Sequence, residues 1–362
     1  MKPINFALLG CGRIARKHVD ALRAIPGARL AAVCDIRREA AERIAGRDSG
    51  IRIFDDLDAM LADREGIDVV SILTPSGLHA EHAVRVARAG RHVVVEKPMA
   101  LRVTDADVMI EACDQAGVKL FVVKQNRYNV AVQHVRRALE AGRFGRLVLG
   151  TVRVRWCRRQ DYYDLDPWRG TWALDGGVFA NQASHHVDLL QWMLGPVASV
   201  FAQTQRYLVN IEAEDTGVAV LTFRSGALGV IEATTATRPA DLEGSLTIMG
   251  ESGVAEVGGF AVNEMRVWQF AERRPEDAAI LAQAKEMPEN VYGFGHAAFL
   301  TNVVKALSES GRALVDGLEG RKSVELICAI YESAAARRSV DVPCPTVHSL
   351  LGQPRPVAGS KP

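Results

Sequence analysis

A glycine-rich turn near the start of the chain is the feature that most constrains how it folds. The residues Gly10-Cys11-Gly12-Arg13-Ile14-Ala15 follow an apolar run, Asn5–Leu9, and precede an amphipathic stretch, Arg16–Ile25. A G-x-G-x-x-A pattern between a buried strand and a helix indicates a tight turn and a helix packed closely on its strand. Gly10 permits the turn, Gly12 leaves the backbone accessible, and Ala15 allows the close packing. The amide groups at such a helix N-terminus bind phosphate.

Short apolar runs alternate with amphipathic stretches from residue 1 to about residue 124. The runs lack polar alternation, which is typical of strands buried on both faces. They are Asn5–Leu9, Leu30–Cys34, Val69–Leu73, His92–Val95 and Leu120–Val123. The stretches between them include Arg16–Ile25, Arg38–Ala45, His79–Ala89 and Asp105–Ala116. This alternation predicts a doubly wound parallel sheet of the Rossmann type over residues 1–124.

The pattern changes after about residue 125. Helices are predicted at Val130–Ala141, near His296–Ser308 and near Gly320–Arg338. Alternating segments joined by glycine turns lie between them: Leu147–Trp156, Ala198–Arg206, Asp215–Phe223, Ala227–Thr235, Ser245–Met249 and Val254–Val257. We therefore predict an α/β chain whose Rossmann domain is followed by an α+β domain with a large, mostly antiparallel sheet. The predicted domains are 1–124 and 125–342, and a proline-rich tail, 343–362, is expected to pack loosely.

The composition excludes several classes of protein. A formal net charge of +1 gives no electrostatic basis for binding nucleic acid or a membrane surface. No apolar run approaches the ~20 residues of a membrane span. The N-terminus leads directly into a strand, which leaves no room for a signal peptide, so we expect a cytoplasmic protein. The six cysteines contain no CxxC pair and are interpreted as reduced thiols, and no metal site is predicted.

Asp35 bears on which cofactor the glycine turn binds. It ends the second apolar run, 23 residues after Gly12, where a carboxylate accepts both ribose hydroxyls of NAD and repels the 2′-phosphate of NADP. Arg37 and Arg38 argue for NADP, because guanidinium groups suit a 2′-phosphate, but Asp35 is nearer the diagnostic position. The alternative role of Asp35 is a helix N-cap. We predict NAD, held in this region by Gly10, Gly12, Arg13, Ile14, Asp35 and Ile36.

Polar residues follow three of the predicted parallel strands. Ligands of doubly wound sheets bind at the carboxyl ends of the strands, so these residues are expected to line the cofactor site. The three groups are Thr74-Pro75-Ser76, Glu96-Lys97-Pro98 and Lys124-Gln125-Asn126. The cofactor contacts predicted here are Thr74, Pro75, Ser76, His79, Glu96, Lys97 and Asn126. For Glu96 and Lys97, the alternative is a simple ion pair at a surface turn.

These residues resemble the GFO/IDH/MocA family of oxidoreductases. The matching pieces are the glycine turn, Thr74-Pro75-Ser76-Gly77-Leu78-His79, Glu96-Lys97-Pro98 and the run from Asp175-Gly176-Gly177 to His185-His186-Val187-Asp188. The similarity extends to about residue 342. It implies the two-domain fold, oxidation of an alcohol with hydride transfer to NAD, and a role for Lys97 in catalysis.

The resemblance also implies that His185 is the general base. Family members usually carry an aspartate four residues before this histidine, on one helix turn, and here that position is Asn181. A carboxylate stabilises an imidazolium and an amide does so much less, so we expect Asn181 to orient a neutral His185. His186 is the rival base, although adjacent helical residues do not share a face. Asp188 is interpreted either as a supporting partner or as an ordinary helix charge.

Within the family, four stretches are similar to enzymes that oxidise a UDP-N-acetylglucosaminuronate at its 3-hydroxyl during bacterial surface-polysaccharide biosynthesis. They are Val122–Arg127, Tyr162-Tyr163 with Trp168–Trp172, Asn181–His185 and Ile211–Val218. This resemblance implies that Arg158, Tyr163, Arg169 and Gln182, with Lys97 and His185, contact a UDP-uronic acid. Arginine suits the phosphates and the carboxylate of such a substrate. For Arg153 and Arg155, the alternative to substrate binding is a place on the basic face of a strand. For Trp168 and Trp172, the alternative to stacking on the sugar or cofactor is a packing role.

Two other functions remain open from the sequence. One is a dehydrogenase of another sugar or a cyclic polyol such as inositol, and the other is a non-catalytic NAD-binding regulator. The joint presence of Lys97 and His185 favours an enzyme. An open antiparallel sheet face further predicts a homo-oligomer, either a dimer or a tetramer.

Overall fold

The computed structural model describes residues 2–63, 66–285, 293–309, 311 and 313–354. The chain forms two compact units. The first unit comprises Met1–Gln125 and Phe294–Arg321, and the second comprises Asn126–Gly293 and Lys322–Pro362. The division differs from the predicted span 125–342, because the segment Phe294–Arg321 returns to the first unit.

The first unit contains a six-stranded sheet in the order β3-β2-β1-β4-β5-β6, with every pair parallel. Its strands are β1 Ile4–Leu9, β2 Ala28–Cys34, β3 Arg52–Phe54, β4 Val69–Ile72, β5 His92–Val95 and β6 Leu120–Val122. Its helices are α1 Ala15–Ala24, α2 Arg38–Ala45, α3 Leu57–Ala62, α4 His79–Arg88 and α5 Val103–Gln115, with a short 3-10 turn at Ser76–Leu78. The sheet order reverses between β1 and β4, which confirms the predicted doubly wound class.

The returning segment packs beside β6 and α1. It carries helix α10, Gly295–Ser308, and the start of helix α11, Gly317–Ala336. The Lys119 ammonium donates hydrogen bonds to the carbonyl oxygens of Ala306 at 2.7 Å and Gly311 at 3.0 Å. Helical periodicity shows that such a helix has an apolar face but not which sheet covers it, so the sequence could not assign this segment.

The second unit contains an eight-stranded sheet in the order β13-β12-β11-β7-β10-β9-β8-β14. Its strands are β7 Leu147–Arg155, β8 Val197–Gln205, β9 Thr216–Phe223, β10 Leu228–Thr234, β11 Glu243–Gly250, β12 Gly253–Gly258, β13 Glu264–Phe270 and β14 Val340–Asp341. Among the described strands of this second sheet, only the pairing of β7 with β10 is parallel. The sheet is therefore mostly antiparallel, as predicted.

One face of this sheet is covered by helices. The remaining helices of the second unit are α6 Val130–Glu140, α7 Gln160–Asp164, α8 Ser184–Leu194 and α9 Asp277–Gln283, with a 3-10 turn at Gln125–Tyr128. Helix α8 lies on β7 so closely that a Cβ on Gly150 would fall within 2.8 Å of methyl groups of Leu190 and Leu194. The Ser333 hydroxyl of α11 accepts the Ala202 N–H at 3.0 Å.

The opposite face carries charged and apolar side chains. Arg155 pairs with Glu232 at 2.6 Å and with Glu243 at 3.1 Å, and Arg153 lies 3.5 Å from Glu243. Val152 and Val154 are buried, so the two arginines point to the other side of β7. Their ion-paired positions support the strand-face interpretation of both residues.

The start of the C-terminal tail does not pack loosely. The Glu332 carboxylate accepts backbone N–H groups from Val347 at 2.9 Å, His348 at 2.8 Å and Ser349 at 3.1 Å. Leu351 is buried, and the Gly352 N–H donates to the Trp172 carbonyl at 2.8 Å. The expectation of a loose tail is therefore wrong up to Pro354, and residues 355–362 lie outside the described residues. Proline content alone did not reveal the buried carboxylate that binds this segment.

Two expectations from composition concern cysteines and membranes. All six cysteines are free thiols, and four of them are buried. Burial raises the pKa of the Cys11, Cys34 and Cys113 thiols to about 12, which leaves them protonated and unreactive at neutral pH. In the described part of the chain, none of the helices has the length and apolar content needed to cross a bilayer.

Candidate active site

The glycine turn adopts a conformation that only glycine accommodates easily. Gly10 has a φ of +96°, and a Cβ there would lie 2.9 Å from the backbone carbon and oxygen of Leu73. Its N–H donates to the Cys34 carbonyl at 2.8 Å, so the turn is held against the ends of β2 and β4. A Cβ on Gly12 would meet nothing within 4 Å. The turn therefore leaves room for a ligand at Gly12.

Helix α1 begins directly after this turn. Ile14 is its N-cap residue, and no side chain caps the helix. Ala15 is fully buried, which is the close packing that the third position of the motif requires. Arg13 is exposed and Ile14 is half-buried. Uncapped amides beside an open glycine backbone suit a pyrophosphate group.

Asp35 lies at the end of β2 and binds the glycine turn. Its carboxylate accepts the Cys11 N–H at 2.7 Å and the Arg37 N–H at 2.8 Å. The N-cap residue of α2 is Arg37, so the N-cap alternative for Asp35 is wrong. The Arg37 guanidinium is 62% exposed and 3.8 Å from the carboxylate, which is a weak ion pair. Ile36 is 92% exposed beside Asp35.

His79 connects two of the polar strand ends. One ring nitrogen lies 2.8 Å from the Thr74 carbonyl oxygen and the other lies 2.8 Å from the Pro98 carbonyl oxygen. Burial lowers the pKa of this imidazole, although both carbonyls oppose that shift. Because both nitrogens face protein carbonyls, His79 acts by positioning the Thr74 and Pro98 loops. The predicted contact of His79 with a cofactor stays a prediction.

Glu96 is buried between two histidines. Its carboxylate lies 3.0 Å from Nε2 of His18 and 3.4 Å from Nε2 of His296. Burial alone would raise the pKa of this carboxyl, but the hydrogen bonds from His18 and His296 hold it well below its usual value. The carboxylate also accepts the Lys97 N–H at 3.0 Å. Glu96 is therefore not one half of a surface ion pair, and half-buried Lys97 follows it at the end of β5.

The spacing of these three side chains also resembles a metal site, because one ligand atom from each lies within 4.8 Å of the others. Metal-bound histidines donate their second ring N–H to an acceptor. Nδ1 of His18 and Nδ1 of His296 have no such partner among the described residues. A carboxylate that accepts hydrogen bonds from two imidazole N–H groups fits this pattern better than an ion.

In the second unit, Arg127 and Asp188 form a buried ion pair. The guanidinium donates to both carboxylate oxygens, at 2.8 and 2.9 Å, and its carbon lies 4.8 Å from the centre of the Trp192 ring. Asp188 is therefore a structural anchor of α8. Asn126, the residue before Arg127, is 4% exposed, and its side-chain oxygen has no hydrogen-bond donor among the described residues.

Asn181 does not share a helix with His185. It lies in a turn, and α8 begins at Ser184 with Ala183 as N-cap. The Asn181 amide donates a hydrogen bond to Asp175, and the other oxygen of Asp175 accepts the Gly170 N–H at 2.7 Å. The expected single helix turn is therefore wrong. A buried carboxylate, Asp175, supports the amide instead.

The two adjacent histidines have different environments. His185 lies in the first turn of α8 and is 6% exposed. His186 is completely buried, and its ring packs edge-on against Trp156 at 5.7 Å. Burial lowers the pKa of His186 to about 3, so it stays neutral at any physiological pH. His186 is a packing residue, which removes the rival for the role of base.

The predicted anion-binding residues lie around α7. Arg169 stacks on Tyr162 and Trp168, at 4.7 and 4.6 Å, and donates to the Tyr162 hydroxyl at 2.8 Å and to Asp166 at 3.1 Å. Arg158 pairs with Asp241 at 2.8 Å. An arginine offers five N–H donors, so these bonds orient both guanidinium groups without exhausting them.

Tyr163 is mostly buried and also lines the polar groove described below. It is 5% exposed, packs with Val209 and Ile211, and contacts the Thr235 hydroxyl at 3.2 Å. The neighbouring Tyr162 hydroxyl accepts from Arg169, and from the Gln182 amide at 3.4 Å. The sequence did not single out this role of Tyr162, because a one-turn helix gives no periodicity that distinguishes adjacent tyrosines.

A polar groove of about 530 Å³ opens beside Arg169. Its lining includes two basic residues, Arg169 and Arg206, and three acidic residues, Asp164, Asp166 and Glu212. The backbone N–H of Trp172 donates a hydrogen bond to the Glu212 carboxylate at 3.0 Å, which places Trp172 beside the groove. The groove is large enough for part of a sugar nucleotide.

Comparison with known proteins identifies the family. A model of an oxidoreductase family with an NAD-binding Rossmann fold matches residues 4–124, and a GFO/IDH/MocA C-terminal domain model matches residues 132–256. The chain belongs to the GFO/IDH/MocA family of NAD-binding oxidoreductases. The family resemblance drawn from the sequence motifs is thereby confirmed, as is NAD as the cofactor.

Two solved members of the GFO/IDH/MocA family are close in sequence and structure. The WlbA dehydrogenase from Bordetella pertussis, solved with NADH and UDP-GlcNAcA, is 47% identical with a TM-score of 0.90, over 95% of this chain and 99% of that one. The WlbA dehydrogenase from Chromobacterium violaceum, with the same ligands, is 46% identical with a TM-score of 0.89, over 95% and 97%. D-apiose dehydrogenase from Paraburkholderia graminis is 29% identical over 94% of this chain and 90% of its own length.

Membership in the GFO/IDH/MocA family places the sequence departure at Asn181 in context. The family resemblance implied an aspartate at this position. Here the residue at this position, Asn181, donates a hydrogen bond to the Asp175 carboxylate. Asp175 lies in the run Asp175-Gly176-Gly177, which the sequence marked only as part of a family motif.

Proposed function

We propose that this chain oxidises the 3-hydroxyl of UDP-N-acetyl-D-glucosaminuronic acid to the 3-keto sugar nucleotide, in the cytoplasmic biosynthesis of a bacterial surface polysaccharide. The observation that carries the proposal is the 47% identity, over 95% of the chain, to a WlbA dehydrogenase solved with NADH and UDP-GlcNAcA. The more distant sequence relatives include D-apiose and myo-inositol dehydrogenases. They support oxidation of a secondary alcohol without favouring a nucleotide.

The first unit is proposed to bind NAD. Gly10, Gly12, Arg13 and Ile14 hold the pyrophosphate at the start of α1, and Asp35 accepts the ribose hydroxyls beside exposed Ile36. Thr74, Pro75 and Ser76 contribute further contacts, with Glu96 and His79 supporting them from behind. Asn126, the first residue of the second unit, is also proposed to contact NAD, through a buried amide oxygen that lacks a donor among the described residues. When bound, NAD accepts the hydride from the sugar carbon.

The chain's own groups are proposed to handle the hydroxyl proton and the charge on its oxygen. The Lys97 ammonium orients the hydroxyl and stabilises the negative charge that develops on its oxygen. A ring nitrogen of His185 accepts the proton. Asn181, held by Asp175, completes this part of the site with a neutral amide. The result is a base that starts uncharged and an electrostatic partner that starts charged.

The second unit is proposed to hold the anionic ends of the substrate. Arg169 is oriented by Asp166 and by the stack between Tyr162 and Trp168, and it faces the groove described above. Arg158 supplies a second guanidinium. Gln182 and Tyr163 add hydrogen-bonding groups, and Tyr162 orients Arg169. Planar guanidinium groups match the carboxylate and the phosphates of a UDP-uronic acid.

A substrate screen tests this function directly. Purified protein and NAD are incubated with UDP-N-acetylglucosaminuronate, UDP-N-acetylglucosamine, inositol or D-apiose, and NADH absorbance is followed. We expect turnover with the UDP-uronate and at least about tenfold lower kcat/KM without its carboxylate, since one lost charged contact is worth about 1.4 kcal/mol or more. Preference for inositol or apiose would favour the polyol alternative. Binding of NAD without turnover of any substrate would favour the regulator.

Variants test the roles of the two catalytic residues. Lys97→Met and His185→Ala should each lower kcat by at least about a hundredfold while NAD affinity changes little. Lys305→Met, at an exposed position of α10, and His134→Asn, on α6, are the matched controls and should keep normal turnover. Near-normal kcat in both catalytic variants would remove the basis of the mechanism.

We also propose that the open face of the eight-stranded sheet mediates self-association. Phe201, Val218, Val220 and Leu228 on adjacent strands are 39–50% exposed there, and Val220 lies directly opposite Phe201. Apolar side chains clustered on a flat sheet face are typical of an interface. A mass measurement in solution should give a dimer or tetramer, and Val220→Glu should shift it toward the monomer. A monomeric wild-type protein would refute this.

A further inference from the structure

A buried hydroxyl and a buried carboxyl lie beneath the backbone that leads to His185. The Tyr331 hydroxyl of α11 accepts the N–H groups of Gly177 at 3.0 Å and Ala180 at 3.3 Å. It donates its own proton to the Glu214 carboxyl at 2.7 Å. Tyr331 is 3% exposed and Glu214 is 4% exposed, so water does not compete for these bonds. The hydroxyl is thus fully engaged, and it holds two points of one short segment.

Glu214 holds the same segment at a third point. It accepts the Phe179 N–H at 3.1 Å, and its second side-chain oxygen has no hydrogen-bond donor among the described residues. A Cβ on Gly177 would lie 2.1 Å from that oxygen, so the carboxyl is pressed against the backbone of Gly177. Three side-chain supports, at Gly177, Phe179 and Ala180, precede Asn181 and the first turn of α8.

We propose that Glu214 and Tyr331 form a pH-sensitive support that fixes the segment Gly177–Ala180 and thereby positions His185. The inference rests on the proposed role of His185 as base. Glu214 and Tyr331 are positioning residues, because they contact the backbone of the segment and act through it.

The environment of Glu214 makes its protonation state consequential. Burial raises the pKa of its carboxyl to about 7, against the hydrogen bonds from Tyr331 and Phe179. The titratable groups that act on it are Tyr331 from α11, Asp175 from the preceding turn and Tyr163 from α7. All three are acids, so none of them offsets the negative charge that ionisation of Glu214 adds. The closed segment keeps Glu214 protonated up to about pH 7, whereas an opened, hydrated segment lets it ionise from about pH 4.5. Opening therefore becomes more favourable as the pH rises between these two values.

Hydrogen exchange measures this without substrate. Exchange of a peptide covering 177–185 is followed by mass spectrometry at a series of pH values and corrected for intrinsic exchange. In the wild type, the opening equilibrium should rise by up to about tenfold per pH unit between about pH 4.5 and 7 and level off above pH 7, where both states are ionised. Glu214→Gln should remove that rise, and Glu251→Gln, at an exposed turn, should keep it. The same pH profile in Glu214→Gln and in the wild type would overturn the proposal.

Kinetics then test the consequence for catalysis. The fall in kcat that accompanies opening as the pH rises toward 7 should be present in the wild type and absent in Glu214→Gln, with NAD affinity unchanged in both. Tyr331→Phe should speed exchange of the segment at every pH and lower kcat more than it changes KM. If exchange behaves as expected but the UDP-uronate is not oxidised, the substrate assignment fails and the support stands. If the substrate is oxidised but Glu214→Gln leaves both profiles unchanged, the support fails alone.

Discussion

Removing either member of the Arg127–Asp188 pair should destabilise the second unit strongly. Both side chains are 2% exposed, and the two hydrogen bonds of 2.8 and 2.9 Å use both carboxylate oxygens. With an effective dielectric constant of about 20, two charges about 4 Å apart attract each other by about 4 kcal/mol. Loss of one partner leaves the other charge buried without compensation, which costs about 3–5 kcal/mol. Arg127→Met and Asp188→Leu are each expected to lose that much.

The double variant distinguishes this explanation from a simple packing defect. With both charges gone, no buried ion remains. The free energy of unfolding of the double variant, Arg127→Met with Asp188→Leu, should therefore lie within about 2 kcal/mol of the wild-type value. Glu140→Gln is the control, since it removes a 57% exposed carboxylate from an ion pair with Arg136. An exposed pair contributes about 0.5 kcal/mol or less.

Urea unfolding followed by tryptophan fluorescence is suited to this experiment. The five tryptophans all lie in the second unit, so their fluorescence reports the unit that holds the ion pair. They are Trp156, Trp168, Trp172, Trp192 and Trp268. A loss below about 1 kcal/mol in either single variant would refute the reasoning, and so would additive losses in the double variant.

Four further changes have defined outcomes. Asp35→Ser should raise the KM for NAD at least about tenfold and admit NADP, and an unchanged cofactor preference would contradict the ribose role. Arg169→Leu should weaken substrate binding about tenfold or more and spare NAD affinity, both measurable by calorimetry. Leu351→Ala should lower the free energy of unfolding by about 2–5 kcal/mol because the side chain is buried. Between pH 4.5 and about 7, folded Glu214 keeps a proton that the unfolded chain has lost. Stability should therefore fall by about 3 kcal/mol as the pH rises across that range, and Glu214→Gln should abolish this slope.

The parallel sheet was predictable because its strands are buried on both faces. β5 was predicted and found at His92–Val95, and β1 begins one residue before the predicted run. Edge strands with exposed residues were missed, although the fully buried edge strand β6 was predicted. β3, at Arg52–Phe54, and β13, at Glu264–Phe270, bury only part of their residues, and neither has a continuous apolar run. Edge strands take their conformation from the neighbouring strand, which a local pattern does not contain.

The candidate site divides in the same way. Gly10, Asp35 and Lys97 could be identified from sequence motifs, because each lies within a few residues of the end of a predicted strand. The partners of Glu96 could not be read in that way, since His18 and His296 are 78 and 200 residues distant in sequence. Long-range polar pairing depends on how helices return to the sheet, and hydrophobic periodicity does not encode it.

The paired glycines of the second unit show why a motif can be identified correctly and still be interpreted incompletely. Gly176-Gly177 was read as a family signature beside the substrate. A Cβ on Gly176 would lie 2.7 Å from Cβ of Ala180 and 2.8 Å from a methyl carbon of Leu351, and a Cβ on Gly177 would lie 2.1 Å from the Glu214 carboxyl. Packing therefore requires both glycines before any ligand is considered. Because the C-terminal tail packs against Gly176 and the Glu214 carboxyl packs against Gly177, parts of the chain far from His185 in sequence fix the backbone that leads to it.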